Sequence, residues 1–439
     1  MWKEKVGWVA LLIIVSSWCV SSSSHSSSSF RGDLSRGKAP LTFGSASSSS
    51  LVLNRVGSSV VLPLHGNVFP LGSYNTTIYI GQPPKPYYLD PDTDSDLTWL
   101  QCDAPCVRCT RTPHPLYPPS DELVDSSDPI CGSLQSGDYK SDCVERCGYE
   151  VQYADGGSSR GFLVKDDVHF ESNRGRVLSS RVALRCGYNQ IPGPYNPCLD
   201  GVLGLGKGSS SIVSQLSSQG LVANVLGHCL STRGGGFLFF GDDLYDSSHI
   251  SWTPMSRDPY LIEHYSPGTA ELLFAGKPTG QENLLLLFDS GSTFTYFSSQ
   301  AYQALSSRVK EELRRKDFTE AVDDDTLPLC WKGQKPFKNI GDVTKYFKPF
   351  ALSFALSFNS GGRAQNQFEV PPESYLIISD KGNVCMGVLN GTEVGFQNVN
   401  VIGDTSMQDK MVIYDNGRQM LGWESKDCSQ LPNSRAFAA

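Results

Sequence analysis

Beyond Val15 the sequence holds no apolar run long enough to cross a bilayer, and Leu431 to Ala439 is not a hydrophobic anchor tail. No stable membrane anchor is expected. A basic excess is also missing: 37 Lys+Arg against 45 Asp+Glu leave a formal net charge of −8 at pH 7. That balance argues against nucleic acid and anionic membrane surfaces as partners. Charged residues are only 19% of the chain and hydrophobic residues 39%, a globular balance and not a disordered one. Cys102, Cys106 and Cys109 have neither a matching second CxxC nor paired histidines to complete a zinc site, so disulfides are expected there. No metal and no cofactor is implied.

What is present begins with a secretory signal. Lys3 and Lys5 supply a positive n-region, Val6 to Val15 an apolar h-region, and Val20 to Ser23 the small residues of a cleavage site. Residues 1–23 are therefore read as a signal peptide; as a membrane anchor the run is too short. Of the thirteen cysteines, Cys19 lies in this segment. The remaining twelve are an even number, as a disulfide framework in an oxidising compartment requires. The expected location is the secretory pathway, extracellular or vacuolar. Asn75-Thr76-Thr77 and Asn390-Gly391-Thr392 are acceptor sequons that such a glycoprotein can use. Residues 24–72 are serine-rich at their start and are read as a leader or propeptide without fixed structure. Arg31-Gly32-Asp33 within them is assigned no role.

From Ser73 the pattern changes. Short runs rich in β-branched and aromatic residues alternate with Gly, Pro, Asn and Asp clusters, as in Tyr74 to Ile80, Phe162 to Phe170, Gly236 to Phe240 and Met411 to Tyr414. This is an all-β pattern. One helix is expected over Ser299 to Lys316, with Tyr302, Leu305, Val309 and Leu313 on one face, and a shorter one after Ser211 with Ile212, Val213 and Leu216 inward. The chain also repeats itself. Asp92-Thr93-Asp94-Ser95 resembles Asp289-Ser290-Gly291-Ser292, and Val202-Leu203-Gly204 resembles Val401-Ile402-Gly403; from Asp92 to Asp289 is 197 residues and from Val202 to Val401 is 199. Two motifs at nearly one offset imply two related halves.

These motifs, with Asp96-Leu97-Thr98-Trp99 and Tyr153-Ala154-Asp155-Gly156-Gly157-Ser158, resemble the pepsin-type aspartic proteases, in the nucellin-like and nepenthesin-like plant branch. The cysteine-rich insert after Trp99 is similar to that branch, and the likeness runs from about Ser73 to Cys428. It implies an all-β, bilobal pepsin-like fold: an N-terminal lobe over 73–242, a C-terminal lobe over 243–430 and a tail over 431–439. It implies Asp92 and Asp289 as the catalytic pair of an aspartic endopeptidase acting, as a monomer, on a protein or peptide substrate. It further implies Tyr153 and Gly156 in a flap over substrate, and disulfides Cys330–Cys385 and Cys229–Cys428.

The chemistry of the residues agrees. Hydrolysis at acid pH needs a water activated without a strong free base, and two close carboxylates that share a proton supply both a base and an acid. Thr93 and Ser290 are placed to cross-brace the two loops, and Ser95 and Ser292 to bond the outer carboxylate oxygens. Gly291 lets the backbone approach closely and offers its amide to the carboxylate pair. Two departures are expected to weaken or abolish catalysis. Asp94 stands where the pattern has glycine and adds a third carboxylate, and Pro91 removes a backbone donor from the strand. They favour an alternative: a catalytically impaired binding or inhibitor protein on the same fold. His228 beside Cys229 is not read as a catalytic pair, because neighbours on a strand face opposite ways.

Overall fold

The computed structural model describes residues 59–104, 106–134, 146–153, 156–171, 177–193, 198–355, 365–396, 398–430 and 432. The signal peptide, the tripeptide 31–33, most of the leader and nearly all of the tail lie outside these residues, as does Cys143.

Strands form where apolar residues alternate. In Ser73–Ile80 the residues Tyr74, Thr76, Ile78 and Ile80 point inward, the period that a half-buried strand requires. Strand structure starts earlier than the sequence pattern suggests. Val60–Asn67, read above as part of the leader, buries Val60, Leu62 and Leu64 between Ser73–Ile80 and Gly236–Phe240. Its short alternation follows a serine-rich stretch, and only the pairing partners, distant in sequence, reveal it. The expected strands at 162–170, 236–240 and 411–414 lie within Ser158–Glu171, Gly236–Phe240 and Lys410–Asp415.

The fold is mainly β and bilobal. The described strands form sheets of thirteen, seven and four. The largest belongs mostly to the first half, yet one end of it is built by both halves. Val60–Asn67, Gly236–Phe240 and Val225–Leu230 continue into Lys410–Asp415, Met420–Ser425 and Ser251–Pro254. Val225–Leu230 and Lys410–Asp415 are buried at every position, as strands covered on both faces are. This shared sheet backs the junction of the lobes.

The helix Ser299–Leu313 buries Leu305, Val309 and Leu313. It stops at Leu313, short of the expected Lys316, with the Arg314 amide closing the last turn on Glu311 O and Lys310 O. Ser211 caps the helix Ile212–Ser218, whose Ile212, Val213 and Leu216 are buried. Five disulfides join described cysteines: Cys102–Cys186, Cys106–Cys109, Cys131–Cys147, Cys229–Cys428 and Cys330–Cys385. The last two are the pairs the resemblance implies.

Candidate active site

Each half positions its acidic loop in the same way. Lys85–Asp92 runs parallel to Gly201–Gly204, pairing Leu89 with Gly201 and Asp92 with Gly204. In the second half Lys277–Phe288 runs parallel to Val399–Ile402, pairing Phe288 with Ile402, and Asp289 N donates to Ile402 O at 3.1 Å. The repeated apolar-apolar-Gly elements are thus the strands beside which each acidic strand ends. Their glycines are required by contact. A Cβ on Gly204 would lie 2.4 Å from Asp96 O, and one on Gly403 2.1 Å from Phe294 O. A hydroxyl behind each loop holds the glycine amide: Gly204 N donates to Thr98 Oγ1 at 3.1 Å and Gly403 N to Thr295 Oγ1 at 3.3 Å.

The two loops are braced against each other. Thr93 N donates to Ser290 Oγ at 3.2 Å, and Ser290 N to Thr93 Oγ1 at 3.0 Å. Thr93 Oγ1 donates in turn to Phe288 O, and Ser290 Oγ to Pro91 O at 2.7 Å. The carboxylates are held alike. Asp92 accepts from Asp94 N at 2.8 Å, Ser95 N at 3.2 Å and Ser95 Oγ at 2.6 Å. Asp289 accepts from Gly291 N at 2.8 Å and Ser292 Oγ at 2.6 Å. A Cβ on Gly291 would lie 2.7 Å from Asp92 Oδ1 and 3.2 Å from Asp289 Oδ1. The inner oxygens of both carboxylates therefore flank one point.

Burial sets the electrostatics. Asp92 is 8% exposed, and desolvation lifts its carboxyl above the usual range, with Asp94 adding to the rise against the lowering bonds from Ser95. Asp289 is pushed well up by burial first, then by Asp92 and Asp94. Two carboxylates so placed cannot both be ionised cheaply.

Neither departure in the first loop disturbs this geometry. Pro91 lies beyond Thr76–Leu89, where pairing with Ser73–Ile80 ends. From there the strand has a single neighbour, Gly201–Gly204, and its register continues unbroken through Pro91 and Asp92. The absent donor interrupts no ladder, and the Pro91 carbonyl takes the Ser290 hydroxyl. Asp94 still gives its amide to Asp92, at the distance Gly291 achieves in the second loop. Its carboxylate turns outward and pairs with His264 Nδ1 at 2.5 Å.

Tyr153 and Gly156 sit where the strand Gly148–Gln152 turns back toward Ser158–Glu171. Gly156, at φ +86°, takes the left-handed backbone that the turn demands. Trp99 Nε1 donates to the Tyr153 hydroxyl at 2.5 Å. Burial and the nearby Asp92 raise the Tyr153 phenol far above its ordinary value. His228 faces Tyr414, Nε2 to hydroxyl at 3.0 Å, and burial lowers its pKa to about 3. Cys229 is in a disulfide.

The sequence motifs assign no role to three residues of this region. Asp90 shares a strand face with Asp92 by the period of two. Its pKa is pushed well up by burial and then by Asp92 and Asp289. Asp404 follows Gly403, where the first half has Leu205, and is 3% exposed. It too is raised by burial, then by Asp90, Asp289 and Asp92, and its Oδ1 has no hydrogen-bond partner. A signal existed for both: each is an acid at a position that is apolar in the other half. His264 carried no signal at all.

Two braced acidic loops between two β lobes define a pepsin-like architecture. Residues 74–242 match the family model described as Xylanase inhibitor N-terminal, and residues 271–425 that described as Xylanase inhibitor C-terminal. An aspartic proteinase of Oryza sativa subsp. indica is 42% identical over 395 residues, 86% of this chain and 93% of that protein. Aspartic proteinase nepenthesin-1 of Nepenthes gracilis is 25% identical over 378 residues, 81% of this chain and 78% of that protein. Among solved structures, basic 7S globulin from soybean aligns at TM-score 0.64 and 16% identity, covering 86% of this chain and 99% of that one. The aspartic proteinase from Irpex lacteus aligns at TM-score 0.59 and 16% identity, covering 87% and 100%; at such identity the likeness concerns the fold alone. The chain belongs to the pepsin-type aspartic proteases, in their plant branch, and is by that membership an aspartic-type endopeptidase.

Proposed function

We propose that this chain is a secreted endopeptidase that hydrolyses peptide bonds at acid pH, with Asp92 and Asp289 as its acid–base pair. The observation that carries the reading is the placement of both inner carboxylate oxygens about one point, on loops locked together through Thr93 and Ser290. A water bound between those two inner oxygens is within reach of both acids. The ionised carboxylate takes a proton from the water as its oxygen bonds to the scissile carbonyl carbon. The protonated carboxyl gives its proton to the carbonyl oxygen. The resulting diol collapses as a proton passes to the leaving nitrogen and the C–N bond breaks. The raised pKa values of both acids favour the singly protonated pair in mildly acidic solution. Ser95 and Ser292 hold the outer oxygens, so that little reorganisation is left for the reaction. Tyr153 and Gly156 belong to a flap over the substrate. A first lobe over 73–242 extended by the strand Val60–Asn67, a second lobe over 243–430, an N-terminal secretion signal and use of the sequons complete the reading.

A second reading rests on Asp94, a carboxylate where the pattern has glycine: a protease-like protein that binds its partner without cleaving it. Hydrolysis of a denatured protein from about pH 3 to pH 7, with and without pepstatin, decides between them. Pepstatin-sensitive cleavage with an acid optimum is expected. A folded, secreted chain that cleaves nothing across this range sinks the first reading.

A further inference from the structure

Asp94 adds to the rise of both catalytic carboxyls, but its own carboxylate is not unpaired. Its carboxylate meets His264 Nδ1 at 2.5 Å, and the two residues come from opposite halves of the chain. The segment carrying His264 is fastened to the first half at three points. Lys207 Nζ donates to Ile262 O at 2.9 Å, His264 bonds Asp94, and the Tyr265 hydroxyl donates to Leu205 O at 3.1 Å. Tyr265 is fully buried, and its carbonyl accepts from Phe288 N, one residue before Asp289. Leu205 N donates to Asp92 O. One short segment thus touches the chain beside both catalytic aspartates. Asp94 is the residue whose amide donates to Asp92 Oδ1, so whatever holds the Asp94 side chain also steadies that donor.

We infer that His264 is a positioning residue for peptide hydrolysis, an imidazolium that neutralises Asp94 and fixes the first catalytic loop across the lobe junction. The inference rests on the proposed acid–base role of Asp92 and Asp289. The charged groups around the imidazole are Asp94 on the first loop, Glu263 beside it in its own segment and Asp289 on the second loop. Lys207 bonds the carbonyl of Ile262 in the same segment. The hydrogen bond to Asp94 comes first in raising the His264 pKa above its ordinary value, against partial burial. The imidazolium is therefore present across the acid range and is lost as pH rises through that raised value. Its loss, by titration or by mutation, leaves the Asp94 charge bearing on Asp92 and Asp289 and lifts their apparent pKa values.

The test is a cycle of the natural chain, His264→Gln, Asp94→Gly and the double variant, each checked for folding by circular dichroism. Two readouts are taken: the alkaline limb of kcat/KM against pH, and the carboxyl titration of Asp92 and Asp289 by 13C NMR. In His264→Gln both are expected to move up by about half a pH unit or more; in the Asp94→Gly background the same change should move them clearly less, what is left being the direct reach of the imidazolium to Asp289. An unmoved titration in His264→Gln, or an equal shift in both backgrounds, overturns the inference. The NMR readout separates it from the proposed function. If the natural chain is inert, the acid–base reading fails, while the coupling of His264 to the pair through Asp94 is still read directly.

Discussion

Thr93 and Ser290 exchange backbone-to-hydroxyl hydrogen bonds, Thr93 N to Ser290 Oγ at 3.2 Å and Ser290 N to Thr93 Oγ1 at 3.0 Å. Both residues are nearly inaccessible, at 1% and 6%. Each hydroxyl then donates to a carbonyl of the other half, Phe288 O and Pro91 O. One lobe's catalytic loop is thereby completed by the other lobe, and neither loop has its full set of partners alone.

Ser290→Ala removes the donor to Pro91 O and the acceptor of Thr93 N, leaving both buried without a partner. A loss of about 1–3 kcal/mol is expected in denaturant unfolding. Activity should fall by about 100-fold, since small displacements of reacting groups have costs of that order. Ser290→Thr keeps the hydroxyl and should restore most of both. If Ser290→Ala matches the natural chain in stability and rate, the brace is dispensable.

Asp289→Asn is expected to abolish hydrolysis with the circular dichroism spectrum unchanged. The amide can neither share a proton with Asp92 nor take one from water. Retention of more than about one thousandth of the natural kcat/KM would place the chemistry elsewhere.

Pro91→Ile is expected to change kcat/KM by less than about threefold at any pH. The ladder already runs unbroken through Pro91, so a restored amide has no partner strand to serve on its open side. A gain of tenfold or more at all pH values would mean that proline misplaces the loop.

Asp404→Asn should make stability less dependent on pH. Burial raises the Asp404 pKa well above the ordinary carboxyl value, so the folded state holds a proton that the unfolded chain gives up above about pH 4. The Asp404 contribution is therefore fully present below that pH and is lost as pH rises toward the folded-state value. Melting temperatures of variant and natural chain should converge near about pH 3 and separate as pH rises, with the variant higher. A constant offset at all pH values would show that Asp404 does not titrate in this window.

Much of this protein is written locally. Alternation in Tyr74 to Ile80 makes a strand in any setting that covers one face, and Ser211 ahead of Ile212 caps a helix with groups only three residues apart. The acidic loops repeat in sequence, so their chemistry could be read without coordinates. The strand Val60–Asn67 was not legible, because its partners lie at 73–76 and 236–240 and its own alternation is short. The consequence of Asp94 was hidden for the same reason. A carboxylate beside two others reads as repulsion until a cation is placed against it, and His264 lies 170 residues away. Asp404 is likewise an ordinary polar residue in sequence, and only packing removes it from water. The sequence by itself determined the strands, the duplicated loops and the acids that can share a proton. The tertiary structure alone decided which charges meet and how far each is desolvated, because both depend on distances between segments that no local pattern records.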